Sequence, residues 1–237
     1  MTLLVLDTAQ GLCTVALGRE GRVVLSRSEP MTRGHQERLP VLVGAVLTEA
    51  GIAVSELKVV AATRGPGSFT GLRVGLAFAQ GLAAATGARP IGLSSLDALA
   101  VQAHRAAPGD PSAIAAVMDA RRGQVYLALW ADGEGEYDPA VDRQLVHGPL
   151  PMGLDEAVAF LAASPSAVRC IGSGAALVAG SGPAVTEVEG PDPAALVHLA
   201  TIRATRPDAM GLDPLYLRAP DATPPTRLPG QPRPDRV

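Results

Sequence analysis

Two aspartates in this 237-residue chain stand where strand meets turn, a placement that suits carboxylate chemistry. Asp7 follows the apolar run Leu3-Leu4-Val5-Leu6, and Asp119 follows Val117-Met118. In a two-lobed protein, carboxylates at such positions can face each other across a cleft and hold a metal or position a nucleophile. Equally, each can be a turn residue whose carboxylate binds its own backbone. The third feature is Gly65-Pro66-Gly67-Ser68-Phe69-Thr70-Gly71-Leu72-Arg73-Val74-Gly75, which joins an apolar strand at 58–63 to a helix reaching residue 86. A strand, a glycine-rich turn and a helix make an anion site in principle, because free N–H groups point outward at the positive end of the helix dipole. Arg73 replaces the Lys-Ser/Thr end of a Walker A loop, and Thr70 stands where GxGxxG needs its third glycine. Gly65, Gly67 and Ser68 therefore remain candidate anion or nucleotide contacts beside Asp7 and Asp119. The other reading is a tight turn with Ser68 or Thr70 as N-cap.

Other reactive types are sparse. The four histidines, His35, His104, His147 and His198, form no HxxxH or HExxH pattern. His35 precedes a helix and reads as a cap or an exposed residue. Ser68, Ser94, Ser95 and Ser173 sit in no GxSxG elbow. Cys13 and Cys170 lie far apart without ligand spacing and read as buried thiols of a reducing compartment. No metal site and no catalytic residue is expected.

The helix after the glycine-rich turn has its own peculiarity. Gly71, Gly75, Ala79 and Ala83 recur every four residues, leaving one face nearly bare. Glycine inside a helix costs about 1 kcal/mol relative to alanine, so the stripe needs a reason. Packing on the chain's own sheet is one reason, and close approach of another subunit's helix is the other. The latter reading makes an interface of Gly71, Val74, Gly75, Phe78, Ala79 and Leu82, with Leu39, Leu42, Val43 and Val46 of a preceding helix at 36–50.

These residues need a frame. Short apolar runs at 3–6, 13–17 and 23–25, separated by turns, predict a β-meander. The helix at 36–50 follows, its start placed near Leu39 so that Pro40 falls in the first turn. The 58–63 strand, the central helix, a strand at 89–93 and a helix from Ser94 or Ser95 to about 104 complete βββαβαβα. After a linker at 106–111 the chain begins again, for residues 5–17 can be laid over 117–129 without a gap, Asp on Asp. Helical spacing at 153–163 and strands at 167–171 and 186–188 lead to a helix from 192 or 193 to 203. Residues 219–237 carry six prolines without periodicity and read as a disordered or extended tail.

Nearly half the residues are apolar, enough for a proper core. The net charge of −3 and 3% aromatic content argue against a free-standing nucleic-acid binder. No apolar run reaches membrane length and the first residues lack signal-peptide character, so a cytoplasmic soluble protein is expected.

Taken together, Leu6-Asp7-Thr8-Ala9, His35 with Leu39-Pro40, the Gly65–Gly75 run, Gly81-Leu82, Ser94-Ser95-Leu96, Met118-Asp119-Ala120-Arg121-Arg122-Gly123 and Tyr216-Leu217-Arg218 resemble the TsaB (YeaZ) family over about residues 2–218. The resemblance implies a duplicated actin/hexokinase/Hsp70-like (ASKHA) α/β fold. Its two lobes would be 1–105 and 112–218, each opening with a β-meander and followed by the 219–237 tail. It also implies a non-catalytic dimerisation subunit, without cofactor, that binds TsaD through its first-lobe helices. That subunit supports threonylcarbamoyl transfer to N6 of the adenosine beside the anticodon in tRNAs reading ANN codons. Further implied partners are TsaE in a ternary assembly, a second copy of the chain in isolation, and tRNA only through the complex. In the catalytic relative a histidine pair four apart binds metal in the segment that here reads Ser94-Ser95-Leu96-Asp97-Ala98-Leu99, without histidine. Two alternatives stand beside this reading. One is a residual ATP-dependent transferase or peptidase-like hydrolase using Asp7, Asp119 and the Gly67 loop; the other is a homodimeric module binding an anion at that loop.

Overall fold

The computed structural model describes residues 1–218 apart from 181 and 208; the proline-rich tail expected at 219–237 lies outside the described residues. The first half runs β1 (Thr2–Asp7), β2 (Leu12–Arg19), β3 (Arg22–Pro30), α1 (His35–Glu49), β4 (Val59–Gly65), α2 (Phe69–Thr86), β5 (Arg89–Ser94) and α3 (Ser95–Ala106). The second half runs β6 (Ala113–Arg121), β7 (Gln124–Ala131), β8 (Glu136–Asp138), β9 (Arg143–Gly153), α4 (Leu154–Ala162), β10 (Val168–Ile171), α5 (Ala175–Val178), β11 (Ala184–Thr186) and α6 (Pro193–Thr205).

The strand order exposes the duplication. The first sheet reads β3-β2-β1-β4-β5, and the second reads β11-β10-β6-β7-β9-β8. With β8 set aside, the second sheet has the order of the first, and its helices follow the corresponding strands. This is the duplicated two-lobe fold of the actin/hexokinase/Hsp70 type. The gapless overlay of the two hairpins is nevertheless one residue out of step. Val5 faces Ala16, but Val117 faces Leu127 and not Ala128. A bulge between Asp119 and Arg121 absorbs the difference, and Arg121 and Arg122 take φ of 63° and 57° around it.

Alternation along the strands sorts the core. Leu4, Leu6, Val15, Leu17, Val60 and Ala62 face α1 and α2, whereas Leu3, Val5, Ala16, Val59 and Ala61 face the layer of α3 and α6. Central β1 is buried on both faces, which is why it reads as an unbroken apolar run. α6, placed by sequence in the second lobe, packs on the first sheet. A Cβ on Gly18 would stand 2.6 Å from Val197 Cγ1. Arg203 of α6 bonds Asp97 of α3 (3.0 Å) and Asp138 of β8 (2.6 Å), all nearly buried. The two halves thus share one core between the sheets.

Two local expectations are corrected and one strand is added. α1 begins at His35, with Pro40 inside it, and not near Leu39. The last short strand is 184–186, two residues earlier than expected. β9 was not anticipated, because Gly148, Pro149 and Pro151 interrupt its pattern; shifts in the ladder near Leu127 and Leu129 accommodate them.

Candidate functional site

The β1–β2 and β6–β7 hairpin tips face a cavity of about 800 Å³, lined among others by Gln10, His35, Gly67, Ser68, Asp119, Tyr126 and Ser173. Both aspartates close turns on their own backbone. Asp7 Oδ1 accepts from the Ala9 N–H (2.9 Å) and from Thr63 Oγ1 (2.6 Å). Asp119 Oδ1 accepts from the Arg121 N–H (2.7 Å), and its Oδ2 pairs with Arg121 Nη1 (3.0 Å). Asp119 lines the cavity, but Asp7 is wholly buried beneath it. Burial raises the Asp7 pKa above its ordinary value, against the bonds from Thr63 and Ala9, and its Oδ2 has no partner among the described residues. His35 is buried, with Nε2 unpartnered among the described residues, and is therefore not the exposed residue or cap expected. α1 is preceded by Gly34, without a side-chain cap bond.

The glycine-rich loop turns two of its donors inward. Ser68 N–H donates to Ala9 O (2.7 Å), and Ser68 Oγ caps α2 by accepting from Gly71 N–H (3.3 Å). A Cβ on Gly67 would overlap Ala9 O. The loop is thus seated on the β1–β2 turn, and the Ser68 N–H, one of the candidate anion contacts, is already used.

The small-residue stripe is corrected in the same way. A Cβ on Gly71 would overlap Thr8 O, and one on Gly75 would overlap Thr8 Oγ1. That hydroxyl donates to Gly71 O (2.7 Å). Ala79 and Ala83 are buried in the same layer. The stripe therefore lets α2 approach the chain's own β1 turn, and Gly71, Gly75 and Ala79 offer nothing to another subunit. Leu39, Leu42, Val43 and Val46 are likewise buried in the core under α1. A period says which residues share a face, but not whose surface covers it.

The outward faces of the two helices carry different residues. Val74, Phe78 and Leu82 are half-buried between α1 and α2, while Pro40, Val41, Gly44, Ala45, Ala77, Gly81 and Ala84 are exposed. A groove of about 590 Å³ runs from Gln36 and Leu39 to Phe69, Arg73 and Phe78. A Cβ on Gly44 or Gly81 meets nothing within 4 Å. Each lies inside a helix, where glycine costs about 1 kcal/mol, and among the described residues no contact requires it. The sequence signal for both was glycine within a helical run, but it could not be separated from Gly71 and Gly75.

A family model described as TsaD, tRNA N6-adenosine threonylcarbamoyltransferase, matches residues 25–152. The Escherichia coli tRNA threonylcarbamoyladenosine biosynthesis protein TsaB is 39% identical over 153 residues, 62% of this chain and 65% of that protein. The solved YeaZ from Pseudomonas aeruginosa is 30% identical, with a TM-score of 0.74, over 91% of this chain and 99% of that one. The chain belongs to the TsaB (YeaZ) family. The chain spans just under two thirds of the E. coli relative (65%), but 94% of an uncharacterized Mycobacterium tuberculosis protein that is 32% identical. For this TsaB-family member the segment in which the resemblance implies a metal-binding histidine pair offers Ser94, Ser95 and Asp97 as donors. Ser94 Oγ accepts from the Asp97 N–H (3.2 Å) as cap of α3, and Asp97 is engaged by Arg203. Ser95 is buried among apolar residues of α3. The set does not fit a metal, and among the described residues no group of three or more His, Cys, Asp or Glu comes together as one. No helix among the described residues is long and apolar enough to cross a membrane.

Proposed function

We propose that this chain is a non-catalytic partner subunit in threonylcarbamoyl-adenosine formation on tRNA, docking on a TsaD-type protein through the outer faces of α1 and α2. The observation that carries it is the pair Gly44 and Gly81. Both are helix-interior glycines that no contact among the described residues explains, on a surface of small and apolar side chains around Val74 and Phe78. Such a surface lets a second helix pair approach closely. The same surface suits a second copy of the chain when the partner is absent, so homodimer and heterodimer compete for it. TsaE would join the assembled pair, and tRNA is reached through the complex in the cytoplasm.

The test separates binding from folding by their signs. Gly44→Leu with Gly81→Leu replaces two helix-weakening residues in open space, which favours the helices by up to about 1 kcal/mol each. The melting temperature of the monomer should hold or rise, while co-purification with the TsaD-type subunit of the same cell is lost. Undiminished co-purification by this folded variant would refute the docking surface. A residual ATP-dependent enzyme is the second reading, resting on the cleft and on Asp7 Oδ2 buried beneath it, which has no partner among the described residues. Calorimetry with ATP and Mg²⁺ on the isolated chain tests it, a tight one-to-one signal being its signature.

A further inference from the structure

The chain after α6 returns across the whole molecule. Gly92 N–H donates to Met210 O (2.8 Å), Leu212 is buried in the layer under α1 and α2, and Leu215 N–H donates to Arg64 O (2.7 Å). The segment lies directly on two glycines, Gly92 and Gly65, the latter also at a φ of 115°. A Cβ on Gly92 would overlap Gly211 O, and one on Gly65 would stand 2.7 Å from Leu215 O. Tyr216 then rests on Phe69, with ring centroids 5.4 Å apart, and accepts a hydrogen bond from Arg73 Nε (3.3 Å). The Arg73 guanidinium lies 3.7 Å over the Phe69 ring. Finally Arg218 Nη1 donates to Ala120 O (3.0 Å), beside Asp119 in the second lobe.

We propose that residues 210–218 form a strap that couples the interlobe cleft to the docking face of α2. Phe69 lines both the cleft and the α1–α2 groove, and Tyr216 holds it from the cleft side. On the far side the lobes are fixed by the shared core and by Arg203 with Asp97 and Asp138. On the cleft side other crossing contacts are long, such as Gly11 N–H to Glu189 O (3.3 Å) and Ser173 Oγ to Gln10 Oε1 (3.5 Å). A change in lobe spacing therefore pulls on Arg218 and Tyr216, and through them resets Phe69 and Arg73 at the end of the groove. Coupling of this kind changes affinity by a factor of roughly 5–150.

The inference rests on the docking reading above, and the experiment separates the two. Arg218→Ala removes the cross-lobe anchor while leaving the sequence of α1 and α2 unchanged. In the full chain it should speed hydrogen exchange at the Leu215 amide and in the first turn of α2. It should also weaken binding to the TsaD-type subunit by about fivefold or more, with Arg218→Lys restoring much of the loss. If Arg218→Ala binds as wild type while the Gly44→Leu, Gly81→Leu variant does not, the strap is overturned and the docking face stands. If that glycine variant binds undiminished, the docking face falls. Exchange in the first turn of α2 then decides the strap, unchanged exchange in Arg218→Ala overturning it and faster exchange supporting it.

Discussion

Alanine at two glycines of one helix should have opposite effects. At Gly81 the new Cβ enters open space, so the substitution collects only the helix-propensity gain of about 1 kcal/mol. At Gly75 the same gain is opposed by overlap with Thr8 Oγ1. Relieving it means shifting either the helix or the Thr8 side chain, an overpacking cost of roughly 1–3 kcal/mol. A shifted Thr8 also loses its buried 2.7 Å bond to Gly71 O, worth about another 1 kcal/mol. Gly75→Ala should thus be net destabilising by about 1–3 kcal/mol, and Gly81→Ala stabilising by about 1. For a chain of this size each kcal/mol moves the melting temperature by about 2–4 °C. Urea titrations followed by far-ultraviolet circular dichroism, at concentrations low enough to keep the chain monomeric, measure both. Adding Thr8→Ala should remove much of the Gly75→Ala penalty, since it deletes the hydroxyl that the new methyl meets. If Gly75→Ala stabilised as Gly81→Ala does, α2 would not be seated on Thr8 through its small-residue stripe.

Arg203→Ala should cost about 3–5 kcal/mol in the same titration, because it strands Asp97 and Asp138 in the core. Asp7 is an acid whose folded pKa is raised by burial, so its proton linkage favours folding most below its ordinary value of 3.8. The stability of wild type minus that of Asp7→Asn should therefore fall as pH rises through the folded pKa; a flat difference between acid and neutral pH would contradict the burial argument. Cys13 and Cys170 have thiols pushed up to about 11 chiefly by burial, so a thiol-specific reagent at pH 8 should label neither in the native state and both in denaturant.

Much of the architecture could be read without coordinates. The apolar runs and caps of the first half predict each of its strands and helices, since the core face of each element is written in its own period. Ser68 and Ser94 both cap as their positions suggest. The paired Asp-turn hairpins announce the repeat, although the one-residue slip at the Asp119 bulge is invisible to a gapless overlay. Where prolines break the pattern, as in β9, local signals fail because only the neighbouring strand's irregular register makes room for them.

The residue chemistry of this protein was set by its sequence alone: a single lysine, two isolated cysteines, no paired histidines, and glycines on two helices. Which of those glycines belong to the interior was decided by tertiary structure. Gly71 and Gly75 meet Thr8, more than sixty residues earlier, whereas Gly44 and Gly81 meet nothing among the described residues. The same holds for Gly65 and Gly92, which receive a segment beginning beyond residue 209. A local pattern records what a position can tolerate; the approach of a distant part of the chain determines what actually fills the space beside it.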